Sequence, residues 1–371
     1  MIRPQLNSIQ VLRATAAILV AYAHSIDLQI LQIKYPDSIQ QHFYYLQNFG
    51  AFGVDIFFVI SGFIISYSAG RYKGGRDGYA FLLHRFKRIN PVYYIATLLF
   101  IAIRTHSWIR DGHSSLTGPV ILKSIVLLPV FDRTSYTPTL LSQAWTLSLE
   151  WLFYLLFLVT ILTRTRHKER LLGMITVILV IAGLFLHGGD YRLQFITNPV
   201  MGEFMLGVLI YWCWSRIAVP KSVAWALLLT GTGLCIGEII KGFGNIDNSI
   251  YTLDGSLAFT RLFWWGTPAA LLVAGCLFLE KKGSGGFARG NPLLLLIGNS
   301  SYSLYLLNPI VYGICASIYR RTGFFMNPDL AIFVQLALAI IVSIIFYKRV
   351  EAPLLRRLRK SPYSISTTLP R

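Results

Sequence analysis

Residues 8–26 read SIQVLRATAAILVAYAHSI, an apolar stretch that nevertheless carries Arg13 and His24. About 20 mostly apolar residues are enough for a helix to cross a bilayer. A helix also satisfies all of its backbone polar groups internally, which hydrocarbon demands, so the stretch reads as a membrane span. Arg13 and His24 are eleven positions apart. At 3.6 residues per turn that is three turns plus about 20°, so both side chains leave one helix face, roughly 16 Å apart along the axis. A cation and an imidazole on one stripe of a span are costly unless polar groups lie along it, and such residues are functional candidates by default.

Reading outward from this segment, the same kind of stretch recurs to the end of the chain. The 371 residues are 54% hydrophobic and 13% charged, which points to an all-α, polytopic bundle of transmembrane helices. About ten spans are expected at this spacing, near residues 8–27, 49–69, 89–104, 144–163, 171–187, 199–214, 223–240, 262–280, 293–319 and 329–347. No internal repeat or soluble insertion is visible, so residues 1–371 form one integral-membrane domain with a basic tail from about 348 to 371. The first segment carries Arg13 and lacks a small-residue cleavage pattern, so it is kept as a span and not read as a signal peptide. The net charge of +18 does not call for nucleic acid. With the N-terminus inside, most Lys and Arg fall on the inner side, and the positive-inside rule places both termini in the cytoplasm. Cys213, Cys235, Cys276 and Cys315 lie in or beside apolar segments and read as small buried hydrophobes; no metal is implied.

Two constellations stand out. In this orientation His24, Asp55 of GVDIFFVISGF (53–63) and Glu150 of WTLSLEWLFY (145–154) fall in the outer half of the membrane. An imidazole oriented by a carboxylate is a general-base arrangement. On the inner side, Arg71, Lys73 and Arg76 precede RFKRINPVYY (85–94), in which Arg85 and Arg88 are three apart on an expected helix end and suit phosphate. The 293–319 segment is broken by Gly298, Asn299, Ser300 and Ser301, then by Asn308 and Pro309, and such breaks are tolerated where the backbone lines a cavity. Ser61 and Tyr302 are further polar candidates there. The stretch VILKSIVLLPVF (120–131) is too short to span and reads as interfacial or re-entrant. Each feature also has a plainer reading: Arg13 snorkels, the carboxylates pair with arginines between helices, the basic run contacts anionic lipid, and Gly50, Gly53, Ser61 and Gly62 are helix-packing positions.

Taken in order, Arg13 with His24, GVDIFFVISGF, RFKRINPVYY, WTLSLEWLFY, GNSSYSLYLLNP (298–309) and VEAPL (350–354) resemble the membrane-bound acyltransferase 3 family, and within it the stand-alone exopolysaccharide-production O-acetyltransferases. The resemblance implies a multi-pass enzyme of the bacterial inner (cytoplasmic) membrane. It implies transfer of an acyl group, usually acetyl, from acyl-CoA to a hydroxyl of a glycan or lipid-linked glycan, with acetyl-CoA as donor and no permanently bound cofactor. His24 then corresponds to the catalytic histidine, Arg13 to its partner, Arg85 and Arg88 to the basic motif that binds the donor, and Glu150 to the fourth-span glutamate. Asn308 departs from the histidine that many relatives carry there, so no acid–base role is expected of it. The competing reading is a proton-coupled transporter or flippase for a lipid-linked sugar, with His24, Asp55 and Glu150 as a proton relay.

Overall fold

The computed structural model describes residues 6–28, 46, 48–69, 72, 74–111, 118–127, 130–131, 136–137, 140–185, 191–241, 252–253, 255–283, 291–322 and 327–359. Arg71, Lys73 and the end of the basic tail lie outside them. The chain is helical almost throughout: α1 (Asn7–Asp27), α2 (Phe49–Ala69), α3 (Gly75–Asp111), α4 (Gly118–Val126), α5 (Trp145–Leu162), α6 (Lys168–Phe185), α7 (Tyr191–Ile196), α8 (Met201–Arg216), α9 (Lys221–Lys241), α10 (Ala258–Arg261), α11 (Thr267–Lys281), α12 (Pro292–Asn299), α13 (Ser301–Thr322), α14 (Pro328–Phe346) and α15 (Ala352–Arg359). The β structure described is one two-residue hairpin, Val130–Phe131 against Tyr136–Thr137. π-Helical turns at Leu262–Gly266 and Tyr347–Glu351 join α10 to α11 and α14 to α15.

Among the described residues, nine helices are long and apolar enough to cross a membrane. The tenth expected span is present as α6, but its 18 residues include Lys168, Glu169 and Arg170. Polarity is inverted relative to a water-soluble protein. Leu229 and Ile240 on α9 and Ile341 on α14 face outward, while Asp55, Ser301, Ser303 and Asn308 are fully buried. Hydrocarbon outside and polar groups inside is the arrangement that lipid favours.

Helix α1 runs through the middle, against α2, α11, α12, α13 and α14. It can do so because Ala14, Ala16, Ala17 and Ala21 carry almost no side chain and are wholly buried, and small residues let membrane helices approach closely. Its first turn is tied down from another helix: Glu280 of α11 accepts from the Asn7 and Ser8 backbone N–H groups at 2.8 and 3.2 Å, and from Ser8 Oγ. A carboxylate there satisfies orphan donors and meets the positive end of the helix dipole. Helices α2 and α8 touch backbone to backbone. A Cβ on Gly62 would stand 1.9 Å from the Phe204 carbonyl oxygen, and one on Gly207 would stand 2.0 Å from that of Val59, so Gly62 is a packing position.

Three expectations are corrected. Arg85 and Arg88 are not at a helix end, because α3 runs unbroken for 37 residues through Pro91 and carries both in its interior. The break expected at 298–301 is present, with Ser300 (φ −91°, ψ 5°) between α12 and α13, but Asn308 and Pro309 do not interrupt the helix, because α13 continues through them. The tail begins as structure: Glu351 is buried, α15 follows, and Lys87 Nζ donates to the Leu358 carbonyl at 3.1 Å. The 120–131 stretch supplies α4, whose Leu122, Ile125 and Val126 are exposed.

Candidate active site

The polar interior gathers in two places, at the Arg13 level and at the His24 level of α1. Arg13 Nε donates to Ser301 Oγ, the first residue of α13, at 3.1 Å. The charges acting on Arg13 come from Arg88, Glu351 and Glu150. Among the described residues Arg13 makes no direct ion pair. The nearby carboxylates are held by hydroxyls instead. Glu150 accepts from Ser61 Oγ at 3.0 Å and from Tyr154 OH, one turn further along α5, and Glu351 accepts from Ser303 Oγ. Arg85 is buried, its guanidinium over the rings of Phe81 (5.3 Å) and Tyr154 (5.2 Å) and its Nη2 donating to Ser68 Oγ at 3.1 Å. Arg88, three residues later, is exposed. Of the two arginines expected to grip a ligand together, Arg85 is packed into the aromatic wall and Arg88 is open. Tyr302 OH donates to the Ile89 carbonyl at 2.9 Å and so ties α13 to α3.

At the other level, a cavity of about 160 Å³ is lined by His24, Asp27, Gln143, Trp145, Arg261 and Tyr305 among others. His24 Nδ1 lies 2.7 Å from Asn308 Oδ1. Arg261 is fully buried: Nε and Nη2 each reach Asp55 Oδ1 at 2.8 Å, Nη2 also reaches the Ala51 carbonyl at 3.0 Å, and the guanidinium lies 5.6 Å from the Trp145 ring centre. Gln143 Nε2 donates to the Leu306 carbonyl at 3.2 Å, and Tyr305 OH donates to the Gln143 carbonyl at 2.8 Å. This wall combines an imidazole, a carboxylate, an amide, a guanidinium and two aromatic rings, the mixture of apolar faces and few polar groups that binding cavities use.

The structure therefore brings His24 to a cavity but gives it Asn308 as partner in place of Glu150 or Asp55. Asp55 is taken by Arg261, because a guanidinium buried in a span needs a carboxylate. Glu150 lies five residues past the cavity-lining Trp145, roughly 7 Å deeper along α5, between the two levels, where its charge acts on Arg13. Sequence reasoning missed Arg261, Glu351 and the contact made by Asn308. Arg261 immediately precedes one π turn and Glu351 closes the other, a local irregularity frequent at functional sites; Glu351 also lies inside VEAPL, a motif whose only sequence signal is the family resemblance. Among the described residues no three His, Cys, Asp or Glu side chains cluster as metal ligands.

The family described as an acyltransferase domain matches residues 6–348. The chain is similar to the exopolysaccharide production protein ExoZ of Rhizobium meliloti (strain 1021), at 31% identity over 314 residues, covering 83% of this chain and 90% of that one. It is similar to the putative O-acetyltransferase SACOL0978 of Staphylococcus aureus (strain COL), at 25% identity over 82% of this chain and 52% of the relative. A further relative, the O-acetyltransferase OatA of Staphylococcus aureus (strain NCTC 8325 / PS 47), is 27% identical over 87% of this chain and 55% of its own. The chain thus spans about half the length of these two staphylococcal proteins. No solved structure matches it.

Proposed function

The chain belongs to the acyltransferase-domain family, and from that premise we propose that it is a membrane O-acyltransferase moving an acetyl group from acetyl-CoA to a hydroxyl of an envelope glycan or lipid-linked glycan. The observation that carries the reading is the stripe on α1: an arginine without an ion pair among the described residues at one level, and a histidine in a cavity wall at the other. Exposed Arg88, with Arg13 behind it, suits the phosphates of the donor, for which guanidinium forks are well matched. Arg85 holds Tyr154, and through it Glu150, in place. The pantetheine arm then runs along the stripe and brings the thioester to His24, with the acceptor in the cavity beside Trp145 and Gln143. His24 takes the proton from the acceptor hydroxyl as its oxygen attacks the thioester carbonyl. The carbon–sulfur bond breaks, and the imidazolium returns the proton to the departing thiolate. The donor enters from the cytoplasm, where both termini lie, and the protein resides in the bacterial inner membrane in contact with anionic lipid.

The test is thiol release from acetyl-CoA by the purified protein in lipid, with and without envelope-glycan extract, for wild type and His24→Ala. Acceptor-stimulated release that disappears in the variant is the expected outcome. A folded wild type that releases no thiol from any acyl-CoA would sink the proposal and return the transporter reading.

A further inference from the structure

Asn308 is followed by Pro309 in the interior of α13. Proline has no N–H and so leaves the carbonyl four residues earlier without its helical donor; here that carbonyl belongs to Tyr305. The Asn308 side chain takes the vacancy. Its Nδ2 donates to the Tyr305 carbonyl at 3.0 Å and to the Leu304 carbonyl at 2.9 Å. Carbonyls only accept, so the two bonds fix which end of the amide is nitrogen. The oxygen is then the atom facing His24, and an amide oxygen also only accepts. The hydrogen between Asn308 Oδ1 and His24 Nδ1, 2.7 Å apart, must therefore sit on Nδ1.

We infer that Asn308 is the positioning residue for His24: it holds the imidazole as the Nδ1–H tautomer, so that Nε2 carries the lone pair that removes the acceptor proton. The device is local. Proline frees a carbonyl, the freed carbonyl orients the amide, and the amide selects the tautomer. Asn308 is fully buried and does not line the cavity, whereas His24 does. The Nδ1 edge is thus occupied inside the protein, and the Nε2 edge is left for substrate. During turnover the same oxygen accepts from Nδ1–H in both the neutral ring and the imidazolium, so no proton passes to Asn308.

The inference rests on the acyltransferase reading for its kinetic arm and is independent of it for its spectroscopic arm. Asn308→Leu removes both donor and acceptor, whereas Asn308→Asp removes the donor to the two carbonyls and keeps an acceptor for Nδ1–H. If Asn308 positions the base, the Leu variant loses at least about 10²-fold in kcat, the lower bound for a positioned acid–base group, with the acetyl-CoA KM unchanged, while the Asp variant stays within about tenfold of wild type. A role confined to filling the two carbonyls damages Leu and Asp alike, and equal losses would overturn the proposal. In parallel, ¹⁵N-histidine NMR of the full chain in lipid, with His24→Ala identifying the His24 signals, reads the tautomer directly. A protonated Nδ1 and bare Nε2 are expected, lost or mixed in Asn308→Leu; a protonated Nε2 in wild type would end the inference even if the protein proves inactive on acyl-CoA.

Discussion

Arg13 and His24 leave the same face of α1, yet the groups around them differ in kind. Around the arginine stand hydroxyl-bound carboxylates that act from a distance, with an exposed second arginine in Arg88. Around the histidine the polar groups are joined directly, His24 to Asn308 and Arg261 to Asp55. Positive charge that is not cancelled at contact draws anions, whereas charge cancelled internally leaves shape and hydrogen bonding to select a neutral ligand. Under the proposed function one level takes the phosphorylated donor and the other the hydroxyl-bearing acceptor, although both belong to one helix.

The sharpest way to break this contrast is His24→Ala, for which thiol release should fall by about 10²–10⁴-fold while the thermal melt is unchanged. A lowered melting temperature with activity retained would make His24 part of the closed structural pairing and not its product. Next in size is the Arg261–Asp55 pair. Removing one partner of a buried ion pair costs about 3–5 kcal/mol, so Arg261→Met and Asp55→Leu should each lower the melting temperature sharply, and the double variant should recover most of the loss. Gly62→Ala probes the frame between the two levels. Its methyl would meet the Phe204 carbonyl, and overpacking of this kind costs about 1–3 kcal/mol, visible in the melt with little change in acetyl-CoA KM. The smallest effect belongs to Arg88→Ala, expected to raise that KM by about tenfold, equivalent to roughly 1.4 kcal/mol, with kcat kept. A change in kcat without a change in KM would remove Arg88 from the donor side.

Much of the framework is legible in the sequence because lipid imposes it. Long apolar runs must be helices, and the Arg13–His24 spacing fixes a shared face wherever those helices go. The partners are harder to see because they come from distant parts of the chain. Asn308 lies 284 positions from His24, and Arg261 lies 206 from Asp55. Counting residues from span ends gives the depth of Asp55 correctly, at the His24 level, but not its partner, because the cation that claims it, Arg261, lies in another span; Glu150, five residues past the cavity-lining Trp145, sits deeper than the count suggests. The expected helix end at Arg85 and Arg88 is not legible as a helix interior, because the apolar run begins only after them, whereas α3 starts at Gly75 and passes through Pro91. Asn308 is legible in the sequence as a polar break beside a proline and as a departure from histidine, but not as a partner of His24. What it does there depends on the proline beside it and on a carbonyl one turn earlier.

Helices α1 and α13 run in the same direction: Gln10 packs on Gly298, Arg13 bonds Ser301, His24 bonds Asn308, and Ala21 receives Tyr312 OH. Two pins near opposite ends of one rod thus engage the same second rod. Axial slip between the rods must shear both pins together, so neither level can lose its register with α13 by sliding alone. To release one and keep the other, α13 has to flex between Ser301 and Asn308, and the turn before Pro309, where the Tyr305 carbonyl has no backbone donor, is the joint already marked for it.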